Sequence, residues 1–473
     1  MKTSATLLAA LLGLLATRPA RAQNALSNFS ATGRGGAVTT FATDYQALGI
    51  NPANLGRQGT SLVSFTIGEV GAGVGSQSLT NSQLRQLVFH SGDALTAAER
   101  TSLVANLNNA NALTINADAT AFGLSLILPP GLGGLAVSVH QRLSGHAAFN
   151  QNSADIIVNG QQAALVQQYY DAVGNPRGGS TPPLLSAALD GTEMQLALTN
   201  EFNIGYGVEV LDVPGVITLT AGAGYRYIQG VGVADVRVRG GSLLAYSSLS
   251  PVFDVNYGGL ASSATFNYKS GSGLQPVGSG NGFDLGLAAE VGKVVRLGVA
   301  VTDLGSMTWT GNVVTANDQA LSFPQYAGLT NYDVIQQLVK QFGAGGENLF
   351  TYETARERRT SLPTKLRLGG GVRLSEFFEA GLDVVVPLNQ VAGNLPAPFI
   401  GAGLDYKPVR WVRLSSGVSG GAGYNVGVPL GLTFVTPVWE AGFSTRSVLG
   451  YFSEKNPYAS VALGFLRFRI GKS

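Results

Sequence analysis

From Met194 to Val210 the chain alternates with a period of two. The even positions Met194, Leu196, Leu198, Asn200, Phe202, Ile204, Tyr206, Val208 and Val210 are almost wholly apolar, while the odd positions Gln195, Ala197, Thr199, Glu201, Asn203, Gly205, Gly207 and Glu209 are polar or small. A period of two is the mark of a strand with two unlike faces. The run is longer than the five or six residues usual in a globular sheet and suits a tilted membrane crossing of about ten residues. The same split sets Leu366, Leu368, Val372 and Leu374 apart from Lys365, Arg367 and Arg373, and Phe378, Ala380, Leu382, Val384 and Val386 apart from Glu379 and Asp383. It returns at the end of the chain, with Leu466, Phe468 and Ile470 against Arg467 and Arg469. In a soluble sheet such apolar faces need bulk opposite them, yet glycine, 64 residues in all, recurs where that bulk should be. The pattern predicts a closed barrel whose outside is lipid.

The two ends and the composition fit that expectation. Lys2, the apolar stretch Leu7 to Ala16 and the Ala20-Arg21-Ala22 site have the layout of a secretory signal, residues 1–22, so the mature chain is expected to start at Gln23. No later segment offers about twenty apolar residues free of charge, which argues against membrane helices. Charged residues are only 12% of the chain and the mean hydropathy is positive, unusual for a soluble protein of this length. Lys and Arg number 30 against 28 Asp and Glu, so charge gives no case for nucleic acid. The absence of cysteine excludes disulfides, thiolate metal sites, cysteine catalysis and a lipid-bearing N-terminal cysteine.

About fourteen alternating segments begin near residues 60, 112, 134, 193, 214, 279, 294, 361, 376, 396, 409, 425, 438 and 457. Tight turns follow every second one: Pro129-Pro130-Gly131, Val213-Pro214-Gly215, Gly292-Lys293, Ser375-Glu376 and Lys407-Pro408. Long insertions, roughly 78–111, 150–192, 239–278 and 312–360, follow the others in the first half. That is barrel topology, with short turns at the periplasmic end and long loops outside. Leu84 to Val88, Ala97 to Leu107 behind Thr96 as N-cap, Gln161 to Ala172 and Tyr332 to Phe342 have helical spacing, which predicts helical extracellular loops. Residues 23–58 do not alternate and carry turn chemistry at Gly33, Gly35, Gly36 and at Asn51-Pro52-Ala53. They are expected to fold back into the barrel, 59–473, as a hatch.

The segment Thr32-Gly33-Arg34-Gly35-Gly36-Ala37, followed by Asp44, Ala47 and Asn51-Pro52-Ala53-Asn54-Leu55, resembles the N-terminal signature of the FadL-like barrels, the long-chain fatty-acid transporters and their relatives. Gly282-Phe283-Asp284-Leu285-Gly286, Asp303-Leu304-Gly305 with Trp309 after it, and Leu362-Pro363 to Leu368-Gly369 look like further elements of that superfamily. The tail Gly464-Phe465-Leu466-Arg467-Phe468-Arg469 is most similar to an uncharacterised family of Bacteroidota outer-membrane barrels, with the porin V group of type IX secretion as a related branch. The resemblance implies an all-β fold, a transmembrane antiparallel β-barrel of about fourteen strands with an N-terminal hatch, in the Gram-negative outer membrane. It implies passive transport of hydrophobic small molecules. The alternative is an accessory or surface-binding component of type IX secretion, with secreted proteins as partners.

Alternation projected inward gives a lumen with Arg142, Arg226, Arg296, Lys365, Arg367, Arg373, Arg413, Arg446, Arg467 and Arg469 beside Glu201, Glu209, Asp284, Glu290, Glu379, Asp383, Asp405 and Glu440. An ion-selective pore wants one sign at a constriction; mixed signs favour ion pairs that hold a plug and one another. His140, the one histidine expected inside a strand, lies near Ser138, but no orienting acid is identifiable, so no catalytic residue, metal site or cofactor is expected. Gly71-Ala72-Gly73-Val74-Gly75 and Gly369-Gly370-Gly371 lie inside strands and mark bends or close approach; bends of this kind would also allow a lateral gap in the wall. Trp309, Trp411, Trp439, Tyr406, Tyr451 and Phe452 are expected in the aromatic girdles at the headgroup level.

Overall fold

A computed structural model of the chain describes residues 28–58, 60–179, 181–343, 349–395, 397–422 and 424–471; the expected signal, 1–22, lies outside them. Among the described residues nineteen strands form one antiparallel sheet. They are β1 (Val63–Gly75), β2 (Leu113–Ile127), β3 (Gly134–Ala148), β4 (Glu193–Val213), β5 (Ile217–Arg239), β6 (Ser242–Leu249), β7 (Gly278–Val291), β8 (Val295–Trp309), β9 (Val313–Ala316), β10 (Tyr352–Thr354), β11 (Arg358–Ser361), β12 (Lys365–Arg373), β13 (Phe378–Pro387), β14 (Phe399–Val409), β15 (Val412–Gly421), β16 (Tyr424–Gly427), β17 (Leu430–Val435), β18 (Trp439–Thr445) and β19 (Tyr458–Ile470). β19 pairs back onto β1, from Val63 opposite Ile470 to Gly75 opposite Tyr458, and the sheet closes.

The wall has fourteen staves. β11 and β12 lie end to end along β8, and β16 and β17 along β15, so each pair is one interrupted stave. β6, β9 and β10 leave the wall as a side ribbon on the upper part of β5. Short turns gather at one end and the long loops at the other. The outer face carries a belt of exposed apolar side chains, among them Phe202, Ile204, Phe283, Leu285, Leu287, Leu382 and Leu404. Such a continuous apolar surface has no counterpart on a soluble monomer and is what a bilayer covers. Among the described residues no helix is long and apolar enough to cross a membrane. Near the short-turn end Phe378 stacks on Tyr406 with ring centroids 4.7 Å apart, and Trp411 on Phe434 at 6.2 Å, an arrangement that fits an interfacial girdle.

At the long-loop end, helices Asn81–Phe89, Ala97–Leu107, Gln151–Asn159, Ala164–Tyr169 and Val334–Lys340 share one apolar core with the upper strands, including Leu84, Leu103, Ile156, Val166, Val236 and Phe350. Capping boxes start the first two, from Thr80 to Gln83 and from Thr96 to Glu99, as the Thr96 signal predicts. Gln151–Asn159 was not legible in the apolar spacing. Asn150 caps it through the Ser153 amide.

Strict alternation fails at one level of three neighbouring staves. Ile67 and Gly68 on β1, Ala121 and Phe122 on β2, and Phe465 and Leu466 on β19 are consecutive pairs that both face out. The registers β2 to β3 and β18 to β19 shift there, and Gly68 has φ +87°, a conformation glycine adopts without penalty. A fourth break on β8 buries both Thr302 and Asp303, with Asp303 at φ +60°. Each extra residue exchanges the faces beyond it. Trp309, expected in the girdle, therefore points inward and is 3% exposed.

Candidate functional site

Residues 28–58 are threaded into the lumen and almost entirely buried. Their local structure follows from their turn residues. Asn28 caps the helix Phe29–Gly33 by accepting from the Ala31 amide at 2.9 Å, and Gly35 and Gly36, at φ +67° and +85°, turn the chain back after it. Asn51 accepts from the Ala53 amide at 3.1 Å and opens the 3₁₀ turn Pro52–Gly56.

This plug is tied to the wall on several sides. Asp44 pairs with Arg467 at 2.6 Å, Arg34 with Asp405 at 3.3 Å and Arg57 with Glu290 at 3.0 Å. The Thr39 amide and hydroxyl both donate to Asp383, at 2.7 and 2.6 Å. Tyr45 donates to Glu69 at 2.7 Å, Asn51 to the Leu287 carbonyl at 3.2 Å, and Ser444 to the Phe29 carbonyl at 2.7 Å. Burial, aided by Arg296 nearby, lowers the Arg57 guanidinium to about 10, and burial holds the Tyr45 phenol well above its usual range.

The glycine excess has its physical cause here. A Cβ on Gly442 or Gly464 would lie 2.7 or 2.6 Å from the Phe29 ring, and one on Gly403 2.9 Å from the Arg34 Cα. Gly33 on the plug meets Gly431 on the wall, where a Cβ would be 2.9 Å from a backbone carbon. Gly207 and Gly222 receive Pro52, and Gly371 and Gly381 receive Phe41. Inward glycines let backbone lie on backbone, which side chains would forbid.

The sequence-predicted charges fall into separate clusters. Arg226, 1% exposed, bonds Glu201 and Asp284 at 3.0 Å each and Asp303 at 2.5 Å; Arg142 joins Glu201 at 3.5 Å and Lys365 joins Asp303 at 3.6 Å. Across the lumen, Glu440 holds Arg413 at 2.6 Å, Arg469 at 3.2 Å and Arg467 at 3.6 Å. Nearer the short turns Glu290 meets Arg296 at 3.3 Å, Glu379 meets Arg373 at 2.7 Å, and Glu209 accepts from Gln58 at 3.1 Å. Asp383 serves Thr39, while Arg367, 4% exposed, has no hydrogen-bond partner on Nε or Nη1. Breaking one member of such a buried set leaves an uncompensated charge, at a cost of about 3–5 kcal/mol.

Three lumen carboxylates, Glu69, Asp118 and Asp303, were not among the expected charges, although Asp118 lies on the regular inward face of β2. Glu69 and Asp303 follow the face exchange at their bulges; the available signals were Gly68 in a strand and the Asp303-Leu304-Gly305 element. Asp118 corrects the view that His140 lacks an acid: it bonds Nε2, and Thr120 lies 3.2 Å from Nδ1. Both ring nitrogens are thus engaged, and Ser138 accepts from Asn203 at 3.1 Å. His146 also lies within β3.

Two small cavities meet at the Arg226 cluster, a lock of buried ion pairs. The upper, about 50 Å³, is walled by Ile228, Val233, Met307, Trp309 and Leu362, with Arg142, Glu201 and Asp303 at its edge. The lower, also about 50 Å³, lies between Tyr45, Gly49 and Ile50 of the plug and Arg226, Lys365 and Arg367. Each has room for a few water molecules.

No curated protein matches the chain in sequence. Among solved structures it is similar to the toluene transporter TbuX of Ralstonia pickettii (14% identity, 93% of this chain, 98% of that one, TM-score 0.45) and the toluene transporter TodX of Pseudomonas putida (11%, 96% and 100%, 0.44). It is also similar to a FadL homologue of Pseudomonas aeruginosa (11%, 96% and 99%, 0.40). Residues 52–437 match the profile of a family of unknown function (DUF5723), and the chain belongs to that family.

Proposed function

We propose that the chain is an outer-membrane channel for passive transport of hydrophobic small molecules, exported by residues 1–22, with 23–58 as its hatch and 59–473 as its barrel. One observation carries the reading. Within a lumen lined by ion pairs, Ile228, Val233, Met307, Trp309 and Leu362 make an inward apolar wall. Such a wall serves a hydrophobic solute, whereas an ion or sugar pore gains nothing from it. A solute that buries ~100 Å² of apolar surface there gains about 2.5 kcal/mol. Passage beyond requires the Arg226 lock and the plug to move aside, because neither cavity admits a hydrocarbon.

The test is uptake of radiolabelled toluene and of arabinose by outer-membrane-intact cells with and without the chain. Toluene uptake should rise several-fold while arabinose uptake does not, and Leu362→Asn should lower the toluene gain roughly fivefold. Equal gains for both solutes, or none for toluene, would overturn the reading. Exported proteins co-purifying with the chain, with solute uptake unchanged on its deletion, would turn it toward the secretion alternative.

A further inference from the structure

A larger cavity, about 230 Å³, lies apart from the lock, at the long-loop end where β16, β19 and the upper ends of β1 and β2 converge. The wall beside it is not made by strands. β18 ends at Thr445, opposite Leu430, so β16 has only β15 as a partner and β19 above Ala462 has none on its β18 side, among the described residues. Residues 446–457 fill this interval, held by side-chain and irregular backbone hydrogen bonds in place of a strand ladder. The Ser460 amide donates to the Tyr451 hydroxyl at 3.1 Å, the Arg446 amide donates to the Ser460 hydroxyl at 2.9 Å, and the Val448 amide donates to the Val428 carbonyl at 2.8 Å.

Inside, the cavity presents hydroxyls and amides, Ser76, Asn111, Ser419 and Asn425 among them, and two cations, Arg446 and Lys455; among the described residues no carboxylate lines it. Arg446 is 4% exposed and lies over the Phe399 ring at 5.1 Å. Outside, Leu430, Val428 and Val426 form an exposed column that continues the apolar belt up to the cavity's edge, where Val426 is 71% exposed and itself part of the lining. One opening thus joins a cationic, hydroxyl-rich interior to an apolar exterior.

We propose that this cavity binds the phosphate-bearing, hydroxyl-rich head group of a membrane amphiphile, whose acyl chains lie along Val426, Val428 and Leu430. The phosphate meets Arg446 and Lys455 in charge-assisted bonds, and the head-group hydroxyls meet the serine and asparagine side chains. This site is separate from the apolar lumen wall and does not depend on what the channel carries.

The purified full-length chain, exchanged into equal amounts of phosphatidylglycerol and phosphatidylcholine, is examined by native mass spectrometry. The wild type should retain phosphatidylglycerol at least fivefold over phosphatidylcholine, and the preference should fall toward parity in Arg446→Gln and in Lys455→Gln. Lys455 is exposed, so Lys455→Gln decides the matter if the buried Arg446→Gln does not fold, as judged by heat-dependent gel mobility. Equal retention of both lipids by the wild type, or a preference unchanged in folded Lys455→Gln, would overturn the site. Glycerol 3-phosphate failing to displace the lipid supports a membrane source; full displacement at millimolar concentration would overturn that source and assign the same head-group chemistry to a soluble ligand.

Discussion

The tie between Asp44 and Arg467 permits a quantitative test of how the plug is held. Their side chains meet at 2.6 Å and both are nearly buried, at 6% and 5% exposure. Charges about 4 Å apart interact by about 4 kcal/mol at an effective dielectric constant near 20. Asp44→Asn does not forfeit all of this, because Arg467 keeps Glu440 at 3.6 Å. About 2 kcal/mol of plug stabilisation should be lost. Asparagine is the proper substitute, since Asp44 sits at φ +55°, where Asn is tolerated and alanine would add strain of its own. The chain has no cysteine, so Ala42→Cys, at a plug position 2% exposed, gives a unique reporter whose maleimide labelling rate measures plug opening. In that background Asp44→Asn should speed labelling roughly 30-fold, as about 1.4 kcal/mol is a factor of ten. Arg467→Gln should do much the same, and the double variant should stay within a few-fold of the faster single one. An unchanged rate in Asp44→Asn would refute the argument that this pair holds the plug, and fully additive effects would show that the two residues act through different partners.

Glycine position gives a second test: Gly403→Ala, which drives a methyl into the Arg34 backbone, should cost about 1–3 kcal/mol, whereas Gly370→Ala, with nothing within 4 Å, should be neutral or slightly stabilising in heat-dependent gel mobility. Thr96→Ala removes a capping box and should cost the helix Ala97–Leu107 about 1 kcal/mol, seen as faster amide exchange confined to that helix. The Glu99 carboxyl, lowered by the Thr96 backbone and side-chain hydrogen bonds, adds a pH dependence. Its contribution is fully present above the unfolded carboxyl's value and is lost as pH falls through the lowered one, so exchange protection in this helix should weaken on acidification and not at neutral pH.

Much of the fold could be read from the chain because a lipid-facing strand records its environment residue by residue. The fourteen expected starts fall within a few residues of the observed staves, and those of β3 and β4 coincide with Gly134 and Glu193. The expected helix Ala97–Leu107 agrees end for end, since Thr96 and Glu99 mark its start locally. The lumen charges Arg142, Glu201, Arg226, Asp284 and Lys365 were likewise legible as inward positions, because polar side chains avoid lipid.

By itself, then, the sequence determined the strands, their two faces and the alternation of short and long connections. Tertiary structure decided what those faces meet. A bulge forms where neighbouring staves demand an extra residue, so the inward turn of Glu69, Asp303 and Trp309 depends on strands distant in sequence. Which carboxylate faces which guanidinium is set only when β19 closes on β1 and the plug enters. The glycines on the wall show the division most plainly: their frequency is a property of the chain, but their use, as seats for Phe29, Arg34, Phe41 and Pro52, exists only once two backbones lie against each other.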